Sequence, residues 1–127
     1  MASFDGKWSY RSFCPQSATS DTPPQIAAPW APPGELVVTT DATGKIAGTL
    51  TFAPGVALTV SGSVTPAVGK LPEGIELTGE GLSSIYNIRG FFIAGSDHVV
   101  GTVVAIRNDL AKQPIGTSGP FVLFPVT

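Results

Sequence analysis

Tyr10 is the residue around which a chemical reading of this chain is built. It lies in the run Lys7 to Phe13, where Trp8, Tyr10 and Ser12 fall on one side and Lys7, Ser9 and Arg11 on the other. Period-two alternation with charge on one side is the pattern of a half-buried β-strand. Such a strand offers an indole, a phenol and a hydroxyl to one interior, which suits an apolar pocket with few polar anchors. It equally suits a plain core in which the phenol meets a backbone group. Tyr86 carries the same double reading, on a later run whose facing is open. Turned the other way, that run would send Asn87 and Arg89 inward, and a buried Arg89 would need an anionic partner. Trp30 stands among prolines, as a lid over the interior, a staple on its rim or a plug between subunits. With Phe52 and Phe92, the candidate ligand contacts are Trp8, Tyr10, Ser12, Trp30, Phe52, Tyr86 and Phe92.

Other chemistries find little support. The single histidine, His98, follows Asp97 at a hairpin end, where solvated polar residues are normal, and no nucleophile-elbow pattern exists for it to serve. With one His and one Cys, a transition-metal site would need mostly carboxylates, and these are dispersed. No metal and no cofactor are therefore expected. Gly69-Lys70 lacks the upstream Gly and following Ser/Thr of a phosphate cradle. Glu76 and Glu80 share a strand side that reads as outward, whereas a glycosidase pair needs two inward carboxylates. Cys14 reads as a spectator thiol.

The elements that must position these residues are about eight β-runs: 7–13, 35–40, 45–52, 56–64, 74–79, 84–93, 98–107 and 119–126. Tight turns join most of them, such as Asp41-Ala42-Thr43-Gly44 and Ala94-Gly95-Ser96-Asp97. The exception is Cys14 to Gly34, a Pro-rich stretch without a strand or helix pattern; structureless loops this long are often lids or binding loops. The segment Asn108 to Pro114 has room for one short helical turn. Eight short antiparallel strands with hairpin connections predict an all-β, up-and-down β-barrel, which closes away its edges. The alternative is a two-sheet sandwich. In a meander, odd-numbered connections share one end, so the two longest, the first and the seventh, elaborate one rim.

The 127 residues are consistent with one domain. Charged residues make up only 13% of the chain and the formal net charge is −2, with the seven Lys and Arg scattered. That excludes the clustered basic surface of a nucleic-acid binder. No apolar run approaches the ~18 residues that span a bilayer, and the first residues lack a signal-peptide pattern. The expectation is a cytoplasmic protein that is not membrane-bound. The last three runs are apolar on both faces, as in Val99, Val103 and Ala105 against Val100, Val104 and Ile106. A monomeric barrel needs one such face, so a homo-oligomer is expected, with cover by the long loop or the N-terminus as the alternative.

Gly6-Lys7-Trp8 opening the first strand resembles the G-x-W start of the calycin group, which includes lipocalins and avidins. The large first loop is similar to a lipocalin's, and the compact length with bifacial late strands is more like an avidin. The chain departs from secreted lipocalins in having one cysteine, and from biotin-binding avidins in having only Trp8 and Trp30. The resemblance implies a small-molecule binding protein that holds an apolar or aromatic ligand in the barrel lumen. A second similar architecture, the allene-oxide-cyclase-like barrel, implies a small cyclase or isomerase, which leaves catalysis open. A structural or interaction protein is the third reading.

Overall fold

A computed structural model describes residues 4–15, 26–29, 32–108 and 115–126, and every regular element among them is a β-strand. In chain order these are β1 (Gly6–Pro15), β2 (Ile26–Pro29), β3 (Gly34–Thr40), β4 (Lys45–Ala53), β5 (Val56–Thr65), β6 (Gly74–Gly81), β7 (Ser84–Phe92), β8 (Val99–Asn108) and β9 (Ser118–Pro125). From β3 to β9 each strand pairs antiparallel with the next, β1 pairs with β3, and β1 also pairs with β9. The last pairing closes the sheet into an eight-stranded up-and-down barrel. The expected fold class stands, and the sandwich alternative falls.

The alternation read from the sequence explains the walls. Leu36 and Val38 on β3, Ile46 and Leu50 on β4, and Leu58 and Val60 on β5 are all buried, while Thr49, Thr59 and Ser61 between them face water. Ile75 and Leu77 on β6 and Val99, Val103 and Ala105 on β8 complete one continuous apolar interior. Removing this surface from water, at ~25 cal/mol per Å², is the main force holding the sheet closed. The wall can curve tightly because some interior positions carry no side chain. A Cβ on Gly101 would sit 1.9 Å from the Arg89 carbonyl, and one on Gly62 2.0 Å from the Glu76 carbonyl. Only glycine permits those backbone approaches.

One rim, called upper here, collects the connections after β1, β4, β6 and β8; the lower rim collects those after β3, β5 and β7. Three differences from the sequence reading follow. The stretch between β1 and β3 contains a strand of its own: Phe13 pairs with Pro29 and Pro15 with Ile26. It was unreadable because IAAP is only four residues long, ends in proline and has no alternation to detect. β1 itself runs on to Pro15, two residues past the end of the polar–apolar pattern. The β6–β7 turn centres on Leu82 and Ser83, one position later than its glycine suggests. The 109–114 segment, where a helical turn is expected, lies outside the described residues.

Candidate ligand site in the upper lumen

The lower rim is shut by aromatic packing. Phe4 is fully buried, its ring centroid 4.7 Å from that of Trp8 and 6.2 Å from that of Phe92. The Trp8 indole Nε1–H donates to the Phe4 carbonyl at 3.1 Å, so this buried donor is satisfied. The chain before β1 is tied down by Asp5, whose carboxylate accepts the Thr40 backbone N–H. Trp8 and Phe92, two of the candidate contacts, thus belong to the base of the barrel, with rings 6.5 Å apart.

The upper half differs in chemistry. Tyr10 and Ser12 on β1 point inward and are nearly inaccessible, as are Ser84 and Tyr86 on β7. Seen around the barrel, β1 and β7 are separated by β9 and β8, so the two pairs face each other across the lumen. Tyr10 lies between two rings: Phe121 stacks at 5.9 Å and Phe52 meets it edge-on at 6.1 Å. Burial pushes the Tyr10 phenol far above its ordinary 10.0, a hydrogen bond with Ser12 opposes the shift, and nearby Tyr86 adds to it. The Tyr86 phenol is raised as well, first by burial and against a hydrogen bond with Ser84. Tyr86 is slightly more accessible than Tyr10.

Both phenols are therefore protonated at neutral pH and serve as hydrogen-bonding groups, not as bases. Among the described residues the buried polar side chains are Ser12 and Ser84, and no charged side chain is buried. Among the described residues the upper interior is thus apolar, with four hydroxyls and no buried charge. A neutral molecule suits it, whereas an anion or cation would lose its hydration without a counter-charge.

The open facing of β7 resolves in favour of Tyr86. Asn87 and Arg89 point outward, where Arg89 Nη2 meets Glu76 Oε1 at 3.2 Å in an exposed pair. Tyr10, Ser12, Phe52 and Tyr86 come together in the upper lumen; Trp30 lies outside the described residues. Ser84 was missed, although its spacing from Tyr86 and Ile88 marks it as their face-mate. Phe4 was missed too, and its parity with Trp8 was the available signal. His98 is exposed on the lower rim, its backbone N–H donating to Ser96 Oγ at 3.0 Å, and reads as a turn residue. Among the described residues no cluster of His, Cys, Asp and Glu has metal-ligating geometry. A cleft of about 500 Å³ is bordered by Ser9, Glu35 and Thr51 on the outer face and also by Trp8, Gly34 and Phe52, so it adjoins one of the candidate contacts. Compared with known proteins, the chain matches no family model, no curated protein and no solved structure.

Proposed function

We propose that this barrel binds one small neutral molecule of apolar or aromatic character in its upper lumen, at the end of the barrel from which the long first connection leaves. The observation that carries this reading is the placement of Tyr10, Ser12, Ser84 and Tyr86 inside an otherwise aliphatic barrel. The hydroxyls bond in pairs along their own strands, Tyr10 with Ser12 and Tyr86 with Ser84, which lets an apolar barrel hold polar groups inside without unpaired cost. The phenols are positioned to orient an acceptor oxygen, and Phe52 and Phe121 to flank a flat ring. A calycin-like relationship fits this architecture and forms part of the same proposal.

Nile red, a neutral dye with a carbonyl acceptor, tests it. We expect saturable binding of one dye per chain with enhanced fluorescence. Tyr10→Phe should weaken binding by up to about tenfold, the worth of one buried hydrogen bond. Ala105 is fully buried and pairs with Tyr86. Ala105→Leu should therefore fill the chamber and abolish binding while the barrel still folds. Absence of saturable binding, or binding that survives Ala105→Leu unchanged, overturns the proposal.

A further inference from the structure

The base of the barrel is filled by a residue that belongs to no strand. Phe4 and Asp5 precede β1, yet Phe4 is fully buried. Its ring is tilted 34° against Trp8 and meets Phe92 edge-on at 84°, at separations where aromatic pairs attract. Trp8 and Phe92 thus shape a slot for one flat ring, and the chain fills it with its own arm. The arm joins β1 through Gly6, whose φ of 118° suits glycine alone and whose Cβ position meets nothing within 4 Å. The Trp8 indole N–H donates to the Phe4 carbonyl and the Thr40 backbone N–H to the Asp5 carboxylate.

Beside the arm stands an unmet hydroxyl. By strand parity Thr40 falls on the inward side of β3 with Leu36 and Val38. Its Oγ1 is buried and has no hydrogen-bond partner, and among the described residues it is the one side-chain atom in that condition. A buried hydroxyl left unpaired costs free energy, and few native groups are left so. Phe4 cannot relieve it, because a phenyl ring carries no donor or acceptor. The occupant therefore matches the slot in shape and fails it in chemistry.

We infer that the lower lumen is a second binding site, for a small phenolic molecule, and that Phe4 occupies it in the ligand's absence. The ligand's ring takes the place of Phe4 between Trp8 and Phe92, and its hydroxyl pairs with Thr40 Oγ1. A charged ring is excluded, since no charged side chain among the described residues is buried to meet it. The slot is enclosed, so a free molecule fits it and a tyrosine of a folded partner does not. This site lies at the opposite end of the barrel from Ser12 and Tyr86 and does not depend on binding there.

Calorimetric titration of the full chain with phenol and with benzene tests this. Phe4→Ala vacates the slot and should bind phenol at least tenfold more tightly than the wild type. Adding Thr40→Val should weaken phenol about fivefold, the worth of one hydrogen bond, and leave benzene unchanged. Ala105→Leu, in the upper lumen, should change neither. In the wild type, saturating phenol should shift the Trp8 indole N–H resonance, because its bond to the Phe4 carbonyl is lost. Thr40→Val alone should not lower the midpoint of chemical denaturation, since its hydroxyl has no bond to lose. If Phe4→Ala fails to fold, Asp5→Ala frees the arm, keeps the slot and should bind phenol severalfold more tightly than the wild type. A folded Phe4→Ala or Asp5→Ala protein that binds phenol no better than the wild type overturns the inference. So does phenol binding indifferent to Thr40→Val or abolished by Ala105→Leu, a Trp8 resonance unmoved at saturation, or a clear loss of stability in Thr40→Val alone.

Discussion

At the scale of single residues, the two buried phenols set the chain's response to alkali. The native state holds Tyr10 protonated beyond its ordinary 10.0 because ionising it would place a charge in an apolar chamber. Its folded value lies above its unfolded value. Its contribution to stability is therefore complete below pH 10.0 and drains away as the pH climbs past it. Urea titrations at rising pH should show a steep loss of stability on the alkaline side. Tyr10→Phe should cost about 1 kcal/mol at neutral pH, through the lost hydrogen bond, and should flatten that alkaline fall. An unchanged fall would assign it to other groups. Much of this site was legible beforehand: the KWSYRSF alternation placed Tyr10 inside on pattern alone. The facing of Tyr86 was not legible, since both sides of its strand are apolar enough to be buried. What decides it is the register with β6, which pairs Glu76 with Arg89 and lets the two charges meet outside.

At the scale of elements, the turns are a mixture of chemistry that fits and chemistry that strains. The β3–β4 turn fits: Asp41 Oδ1 accepts the Thr43 N–H at 2.8 Å and the Lys45 N–H at 3.0 Å, and Gly44 supplies φ 87°. Those bonds hold the Asp41 carboxyl below its ordinary value, the Thr43 hydroxyl contributing most. This hairpin was readable because its residue types are those the geometry demands. The β6–β7 turn strains: Leu82 and Ser83 both adopt positive φ, at 51° and 60°. That is the mirror-image hairpin turn that asparagine and glycine prefer, and side chains such as leucine pay for it by crowding the backbone. The sequence hid the turn because its glycine, Gly81, sits one position early and belongs to β6. Replacing the pair, Leu82→Asn with Ser83→Gly, should stabilise the protein by about 1 kcal/mol or more. The midpoint of chemical denaturation would report it as an upward shift; a downward shift would mean that the Leu82 side chain packs usefully on the rim.

At the scale of the whole molecule, closure is the step on which the lumen, the site and the outer wall all depend. It joins the first and last strands: Trp8 pairs with Pro125 and Ser12 with Phe121, while every other barrel pairing links consecutive strands, save that β1 reaches β3 past β2. Strand counting was enough to anticipate a meander, since hairpin signals are local. It was not enough to set the depth of the site or the plug at the base, because those depend on side chains from β1 and β7 that meet only after closure. Leu123, fully exposed to none of the solvent, stands on the closing strand between Val99 on β8 and Tyr10 on β1. Leu123→Ala should cost ~2–5 kcal/mol, the range for emptying a packed core position. Pairing such distant segments carries a large loop-closure entropy, so refolding should be slow for a domain of this size, in milliseconds to seconds. If closure is part of the rate-limiting step, Leu123→Ala slows refolding; if closure follows it, the same substitution instead speeds unfolding and leaves refolding unchanged. We expect the first outcome, because an open meander would leave β1 and β9 as two bare edges over an exposed apolar face, a state with little to stabilise it. Stopped-flow fluorescence of the tryptophans, with Trp8 on β1, separates the two.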